Sequence, residues 1–306
     1  AAPALLSGMP VIVKPGTSTA WLTQRMVQDV VTAGVLPAGA LSVIAGSSAG
    51  LMDALQPFDV VSFTGSAETA GVVRAHPAVA QRSVRANIEA DSLNAALLMA
   101  DAAPGSAAFD LLVREVVREM TVKSGQKCTA IRRILVPAAL YAAVAEAVSA
   151  QLASVVVGNP RNPEVRMGSL VSRAQFDGVQ AGIAALAAHT DILHDGRTRP
   201  LVDADPAVAA CVGPLLLGAR DADRASIVHN LEVFGPVTTL LPYNDLPHAL
   251  ALAQRGQGSL VTSLYGADDK ALSQAALALA ASNDRVHVVT PAVATAHTGH
   301  GNVKIG

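Results

Sequence analysis

Cysteine, aromatic residues and charge are all scarce in this 306-residue chain, and each scarcity closes a class of protein. Two cysteines, Cys128 and Cys211, are too few for a disulfide framework and lack the spacing of metal ligands. Aromatic residues make up 3% of the chain, and no basic stripe interleaves with them. A nucleic acid would find little to stack on and no cationic face, so none is expected as a partner. Charged residues amount to 15%, both signs interspersed, with a net charge of −2. No apolar run approaches the roughly 18 residues that a membrane-spanning helix needs, and no membrane association is expected. The first ten residues hold neither a methionine start nor a basic n-region, so they do not read as a signal peptide. They read as a chain entered partway through. The expected setting is the cytoplasm, where thiols stay reduced.

What is abundant is small and apolar. Apolar residues make up 51% of the chain, much of that alanine, and mean hydropathy is +0.40. That is ample for a large core and too apolar for disorder. The length suggests about two domains. Short β-branched runs (residues 11–13, 41–46, 60–66) alternate with helical stretches, the first of them spanning residues 20–33. Strand, helix, strand at this spacing predicts an α/β fold with a parallel sheet covered on both faces. Further strands are predicted at 134–137, 237–241, 260–265 and 285–289, and a strand pair at 208–217 around a buried Cys211, while 95–99 stands out as an apolar stretch.

Chemistry concentrates in Lys123-Ser124-Gly125-Gln126-Lys127-Cys128-Thr129-Ala130, with Arg132 and Arg133 behind it. A thiol in a loop can reach a substrate, and lysines beside it favour the nucleophilic thiolate. The competing reading is a small buried core residue. Glu89 and Asp91 flank an extended segment, either as general bases or as solvated turn acids. Glu232 and Phe234 precede Gly235-Pro236, either as a turn with a core ring or as a carboxylate and ring edge beside a cofactor. Lys14 and Ser66 fall at the ends of predicted strands, where parallel sheets bind ligands. His297 and His300 lie three apart without a third ligand nearby, so no metal site is expected.

Four stretches in this order resemble the aldehyde dehydrogenase superfamily: Val13-Lys14-Pro15, Phe63-Thr64-Gly65-Ser66, Gly125-Gln126-Lys127-Cys128 and Glu232-Val233-Phe234-Gly235-Pro236-Val237. Residues 87–94 and Thr298-Gly299-His300-Gly301-Asn302 are similar to semialdehyde dehydrogenases of CoA-linked aromatic degradation. Those of the phenylacetate route come first in likeness, and those acting on 3,4-dehydroadipyl-CoA semialdehyde second. The resemblance implies an aldehyde dehydrogenase-like fold: a partial doubly wound dinucleotide-binding domain over 1–91, a catalytic domain over 92–286, and the start of a C-terminal return segment over 287–306. It implies a small aldehyde substrate, carried on CoA, oxidised to its acid with NADP or NAD as acceptor. In that scheme Cys128 is the nucleophile and Glu89 the general base, facing each other between the domains. Lys14 contacts the adenosine ribose, Gly65 and Ser66 form the pyrophosphate turn, and Glu232 holds the nicotinamide ribose with Phe234 beside the ring.

Departures from the family pattern carry information. The acid that usually follows the ribose-binding lysine by three residues is Thr17 here. Without its repulsion of a 2′-phosphate, NADP is expected to be accepted and preferred. The glycines after the base are Ala90 and Asp91, which makes Asp91 a rival to Glu89. The last glycine of the phosphate turn is Ala70, with Gly71 one place later. The family's oxyanion-hole asparagine and oligomerisation hairpin would lie outside residues 1–306. An internal fragment of a homo-oligomeric enzyme is therefore expected, and an incomplete piece that binds dinucleotide or supports assembly is the alternative.

Overall fold

A computed structural model of the chain describes residues 1–295, so the 298–302 stretch and both tail histidines lie outside the described residues. Two compact units divide between Ala90 and Asp91.

The first unit opens with a short helix, α1 (Ala2–Leu6), and a parallel strand pair, β1 (Val11–Val13) with β2 (Leu41–Val43), joined through α2 (Ala20–Thr32). Pro15 lacks a ladder donor, so β1 stops before it. A second parallel pair follows, β3 (Val60–Gly65) with β4 (Arg85–Ala90), connected by α3 (Ala67–Ala75) and α4 (Pro77–Ala80). Ser66 caps α3, its Oγ accepting the Thr69 N–H at 3.3 Å. The sequence predicts one sheet here. The structure has two parallel pairs instead, because no ladder joins β2 to β3.

The second unit is a seven-stranded sheet built from β5 (Ala95–Leu98), β6 (Arg133–Pro137), β7 (Asp191–Asp195), β8 (Leu215–Gly218), β9 (Val237–Tyr243), β10 (Ser259–Tyr265) and β11 (Asn283–Val289). Their order across the sheet is β11-β10-β5-β6-β9-β8-β7, all parallel except β7 against β8. The central strands are buried on both faces and read as continuous apolar runs, as in Ala95-Ala96-Leu97-Leu98. Alternation then sorts them. Leu97, Leu135, Leu217 and Leu241 join the core beneath α7 (Arg173–Ala187), α8 (Leu246–Gln254) and α9 (Asp269–Leu279). Leu98, Ile134, Leu216 and Leu240 face α5 (Ala107–Thr121) and α6 (Tyr141–Leu152). The last described helix is α10 (Pro291–Thr295). β11 carries the expected 286/287 division inside it. Among the described residues, no helix is long and apolar enough to cross a membrane.

The predicted strand pair over 208–217 is corrected to one strand, β8. Pro214 supplies no ladder donor, and Gly213 lies so close to Gly196 that a side chain there would strike its carbonyl. Cys211 packs against the α5/α6 core, and burial pushes its thiol above the ordinary pKa.

Candidate active site

The Cys128 loop begins where α5 is forced to stop. Lys123, Ser124 and Gly125 take φ values of 53°, 54° and 71° in succession, three residues in the left-handed region. For the two that are not glycine this is unfavourable, of order 1–3 kcal/mol each, and persists only where the surroundings enforce it. They do. The Ser124 hydroxyl donates to the Gly168 carbonyl at 2.9 Å. Gln126 Oε1 accepts the Val171 N–H at 2.9 Å. Gly125 sits against the Gly235 backbone, where any Cβ would collide with the carbonyl. The sharp reversal leaves Cys128 exposed at the end of a loop whose Ser124 and Gly125 are buried.

Asn94, fully buried just before β5, fixes the main chain on both sides of the cysteine. Its Nδ2 donates to the Cys128 carbonyl at 2.8 Å and the Ala130 carbonyl at 3.0 Å. Its Oδ1 accepts the Val261 N–H at 3.0 Å and the Ser92 hydroxyl at 2.5 Å. Arg133, also without exposed surface, donates to the Leu93 carbonyl and to the Leu252 and Ala253 carbonyls in the last turn of α8. Burial lowers its pKa to about 9, so it remains a cation at neutral pH. It also donates to His229 Nδ1, while His229 Nε2 bonds the Ala222 carbonyl. Those partners require the neutral Nε2–H tautomer, and burial beside Arg133 holds the imidazole down to a pKa of about 4.

The lysine expected to favour the thiolate is used differently. Lys127 Nζ lies 2.8 Å from both carboxylate oxygens of Glu119, which projects from α5 with 1% of its side chain exposed. Burial raises the Glu119 pKa and Lys127 pulls it back. The ammonium is thus committed behind the loop, and Lys123 is exposed. Arg132 is the buried cation of the loop. Its Nε donates to Glu232 Oε1 at 3.1 Å, one NH2 group to the Gly235 carbonyl at 2.8 Å and the other to the Gly125 carbonyl at 2.9 Å. The guanidinium carbon stands 5.5 Å from the centre of the Phe234 ring.

Glu232 therefore has its carboxylate turned inward, with 7% of the side chain exposed and Oε2 accepting the Ser92 N–H at 2.9 Å. Burial raises its pKa, and Arg132 and the Ser92 N–H lower it. Phe234 presents a partly exposed ring beside it.

The other candidates lie in the first unit. Register places Glu89 opposite Thr64 and Ala90 opposite Gly65, so Glu89 and the Gly65-Ser66 turn meet at the carboxyl ends of neighbouring parallel strands. Lys14 and Thr17 follow β1 in the other strand pair. The residue types at each of these positions suit a dinucleotide. Gly65 and Ser66 are exposed at the first turn of a nine-residue helix whose leading N–H groups have no intrahelical partner. Thr17 is exposed and half-buried Lys14 brings a cation. Ala70 takes the family glycine's place with its methyl fully buried, while Gly71 faces open space. Asp91 adopts φ 26°, a conformation that favours glycine, which gives the departure there a backbone meaning.

Asn94 and Glu119 escape the sequence reading, and Arg132 and Arg133 figure in it only as basic flanks. A polar residue inside an otherwise apolar strand entry was the available signal for Asn94. Among the described residues no group of three His, Cys, Asp or Glu side chains could hold a metal.

The profile described as the aldehyde dehydrogenase family matches residues 1–306. A 3,4-dehydroadipyl-CoA semialdehyde dehydrogenase of Aromatoleum evansii is 54% identical over 99% of this chain and 59% of its own length. An aminoacetaldehyde dehydrogenase of Pseudomonas aeruginosa is 30% identical over 86% of this chain and 51% of its own. The chain thus spans little more than half the length of these curated relatives. Among solved structures, aldehyde dehydrogenase C from Pseudomonas syringae, in complex with NAD+ and octanal, superposes with a TM-score of 0.82 at 25% identity, covering 95% of this chain and 57% of that one. A betaine aldehyde dehydrogenase of Staphylococcus aureus in complex with NAD+ gives 0.81 at 25%, covering 94% and 56%.

Proposed function

Because the chain belongs to the aldehyde dehydrogenase family, we propose that it carries the nucleophile of an NAD(P)-dependent oxidation of a CoA-linked semialdehyde to its carboxylic acid. The observation that carries this reading is the Cys128 loop, a strained and fully anchored turn that ends in an exposed thiol. The Cys128 thiolate adds to the aldehyde carbon and forms a thiohemiacetal. A bound NAD(P) would supply the hydride acceptor, and Cys128 would hold the carbon that gives the hydride up. The acyl thioester left on Cys128 is released by water, with Glu89 as the base that takes the water's proton, and the thiol is regenerated. Covalent attachment divides one hard step into two easier ones.

Lys14, Thr17, Gly65 and Ser66 would hold the dinucleotide, and Glu232 and Phe234 would border its nicotinamide end. Thr17 supports NADP as the preferred acceptor, since it offers a hydroxyl where an acid would repel a 2′-phosphate. Replacing it by that acid, Thr17→Glu, is expected to weaken NADP relative to NAD by about tenfold, the scale of one like-charge contact near a surface; no change would overturn the preference. The CoA-linked substrate is supported by the 54% identical relative. The whole enzyme is proposed to be a homo-oligomer.

The test combines turnover with trapping. The chain is incubated with a short aldehyde or the CoA-linked semialdehyde and either dinucleotide, and reduced dinucleotide and the intact mass of the protein are followed. Cys128→Ser is expected to abolish both turnover and adduct. Glu89→Gln is expected to accumulate an acyl adduct on Cys128, which Asp91→Asn does not. An adduct on Asp91→Asn alone would assign the base to Asp91. Fast labelling of Cys128 without turnover would assign this chain to the non-catalytic reading.

A further inference from the structure

The lysine beside the nucleophile is occupied, which raises the question of what activates Cys128. Lys127 is spent on Glu119 behind the loop. Arg132 and Arg285 both interact with Cys128, and Arg132, with 4% of its side chain exposed, is hydrogen-bonded into the nucleophile loop itself. It reaches both walls of the site at once: Gly125 on the nucleophile loop, and Glu232 and Gly235 on the facing segment. A lysine would carry the same charge but has no planar fork, so it would keep the electrostatic part of the role and lose the span across these three acceptors.

We propose that Arg132 is the positioning residue that activates Cys128: its guanidinium clamps the nucleophile loop to the 232–235 segment and places there the positive charge that favours the thiolate, with Glu232 as the counter-charge that moderates it. This rests on Cys128 being the nucleophile, as argued above. The charges concerned can be named from each element. Glu232, Glu119 from α5 and Cys128 all act electrostatically on Arg132. Glu232 feels Arg132, the Ser92 N–H and Asp91. Arg285 on β11 interacts with Cys128 and Glu119. Lys127 is neutralised within its pair with Glu119. Cys128 interacts with Arg132, and Glu232 is the carboxylate bonded to that same guanidinium, so removing the cation and removing its counter-charge are expected to move Cys128 in opposite directions. A purely structural latch would make no such distinction, because breaking it from either side would loosen the same loop.

The experiment reads the rate of Cys128 alkylation by iodoacetamide against pH in the full chain, by peptide mass spectrometry. Cys211 serves as the partly buried reference thiol in the same molecule. In the unsubstituted chain the Cys128 profile is expected to have its midpoint below that of an ordinary thiol, about 8.5. An ordinary midpoint there would defeat the nucleophile reading itself, not merely the role of Arg132. Given a lowered midpoint, Arg132→Gln is expected to raise it by about one pH unit, which is about tenfold slower alkylation near pH 7. Glu232→Gln is expected to lower it further. Arg132→Lys should recover at least half of the Arg132→Gln shift. Shifts of the same sign in Arg132→Gln and Glu232→Gln, or no recovery in Arg132→Lys, would overturn the proposal. If Arg132→Gln does not fold, Glu232→Gln decides: a lowered midpoint supports the role, and a raised or unmoved one removes it.

Discussion

The buried Arg133–His229 pair shows how a single contact makes stability depend on pH. In the folded chain His229 titrates near 4, against 6.5 for the free side chain, because it is buried beside a guanidinium. Its folded pKa is depressed, so between about pH 6.5 and 4 the unfolded state binds a proton that the folded state refuses. Stability from this group is fully present above 6.5 and is lost as pH falls through that window. Glu119 and Glu232, whose pKa values burial raises, contribute the opposite slope, losing stability as pH rises above their unfolded values. The clean readout is therefore a difference. The urea midpoint of the natural chain, relative to His229→Gln, is expected to climb from pH 4 to 6.5 and then level off. A flat difference would mean that His229 is charged in the fold. The sequence offers no hint of this pairing, since two residues 96 apart become partners only through the sheet. Cys128 could be singled out as a candidate because its flanking Gly and Lys residues form a local pattern. The inward turn of Glu232 was not, because it depends on Arg132 arriving 100 positions away.

Among the elements, the strands were the most readable and the connections the least. Ala95–Leu98 and Val237–Tyr243 announce themselves as apolar runs because both faces are covered. The 208–217 stretch carries a similar composition, but Pro214 and the close approach at Gly213 deny its first half a ladder. The reversal after α5 was visible only as a glycine, and its two further left-handed residues have side chains with no such signature. That reversal gives a sharp prediction. At Gly125 an alanine would have to accept φ +71° and push its methyl into the Gly235 carbonyl. The first effect alone is of order 1 kcal/mol, and moving packed backbone adds to it. Gly125→Ala is expected to destabilise by more than about 2 kcal/mol in urea titration and to slow Cys128 alkylation. Gly71→Ala, which meets open space in α3, should do neither. Equal effects from the two would show that helix or loop propensity matters here and the close approach does not.

At the scale of the molecule the two units differ in what they bury. The second has apolar cores on both faces of its seven-stranded sheet. In the first, the buried apolar residues are Ala70, Ala78 and Val84, while Trp21 is 71% and Phe58 94% exposed. Ordering a residue costs on the order of 1.5 kcal/mol in conformational entropy, and burial at roughly 25 cal/mol per Å² must offset it. Small buried methyls supply little of that, and the exposed indole and phenyl rings supply almost none. The fold class was readable because strand–helix alternation persists through both units, whereas the uneven burial is invisible to composition: Trp21 and Met26 look like core residues in sequence. The consequence is measurable by native-state hydrogen exchange of this chain. Amides in β1 to β4 are expected to exchange at least about a hundredfold faster than those in β5, β6 and β9, a difference of about 2.7 kcal/mol in opening free energy. Saturating NADP should narrow that gap by protecting β3 and the first turn of α3, because a ligand stabilises what it binds. Protection already equal without NADP would mean that the first unit draws its stability from something other than its own buried surface. An unmoved gap with NADP would remove the dinucleotide from the Gly65-Ser66 turn.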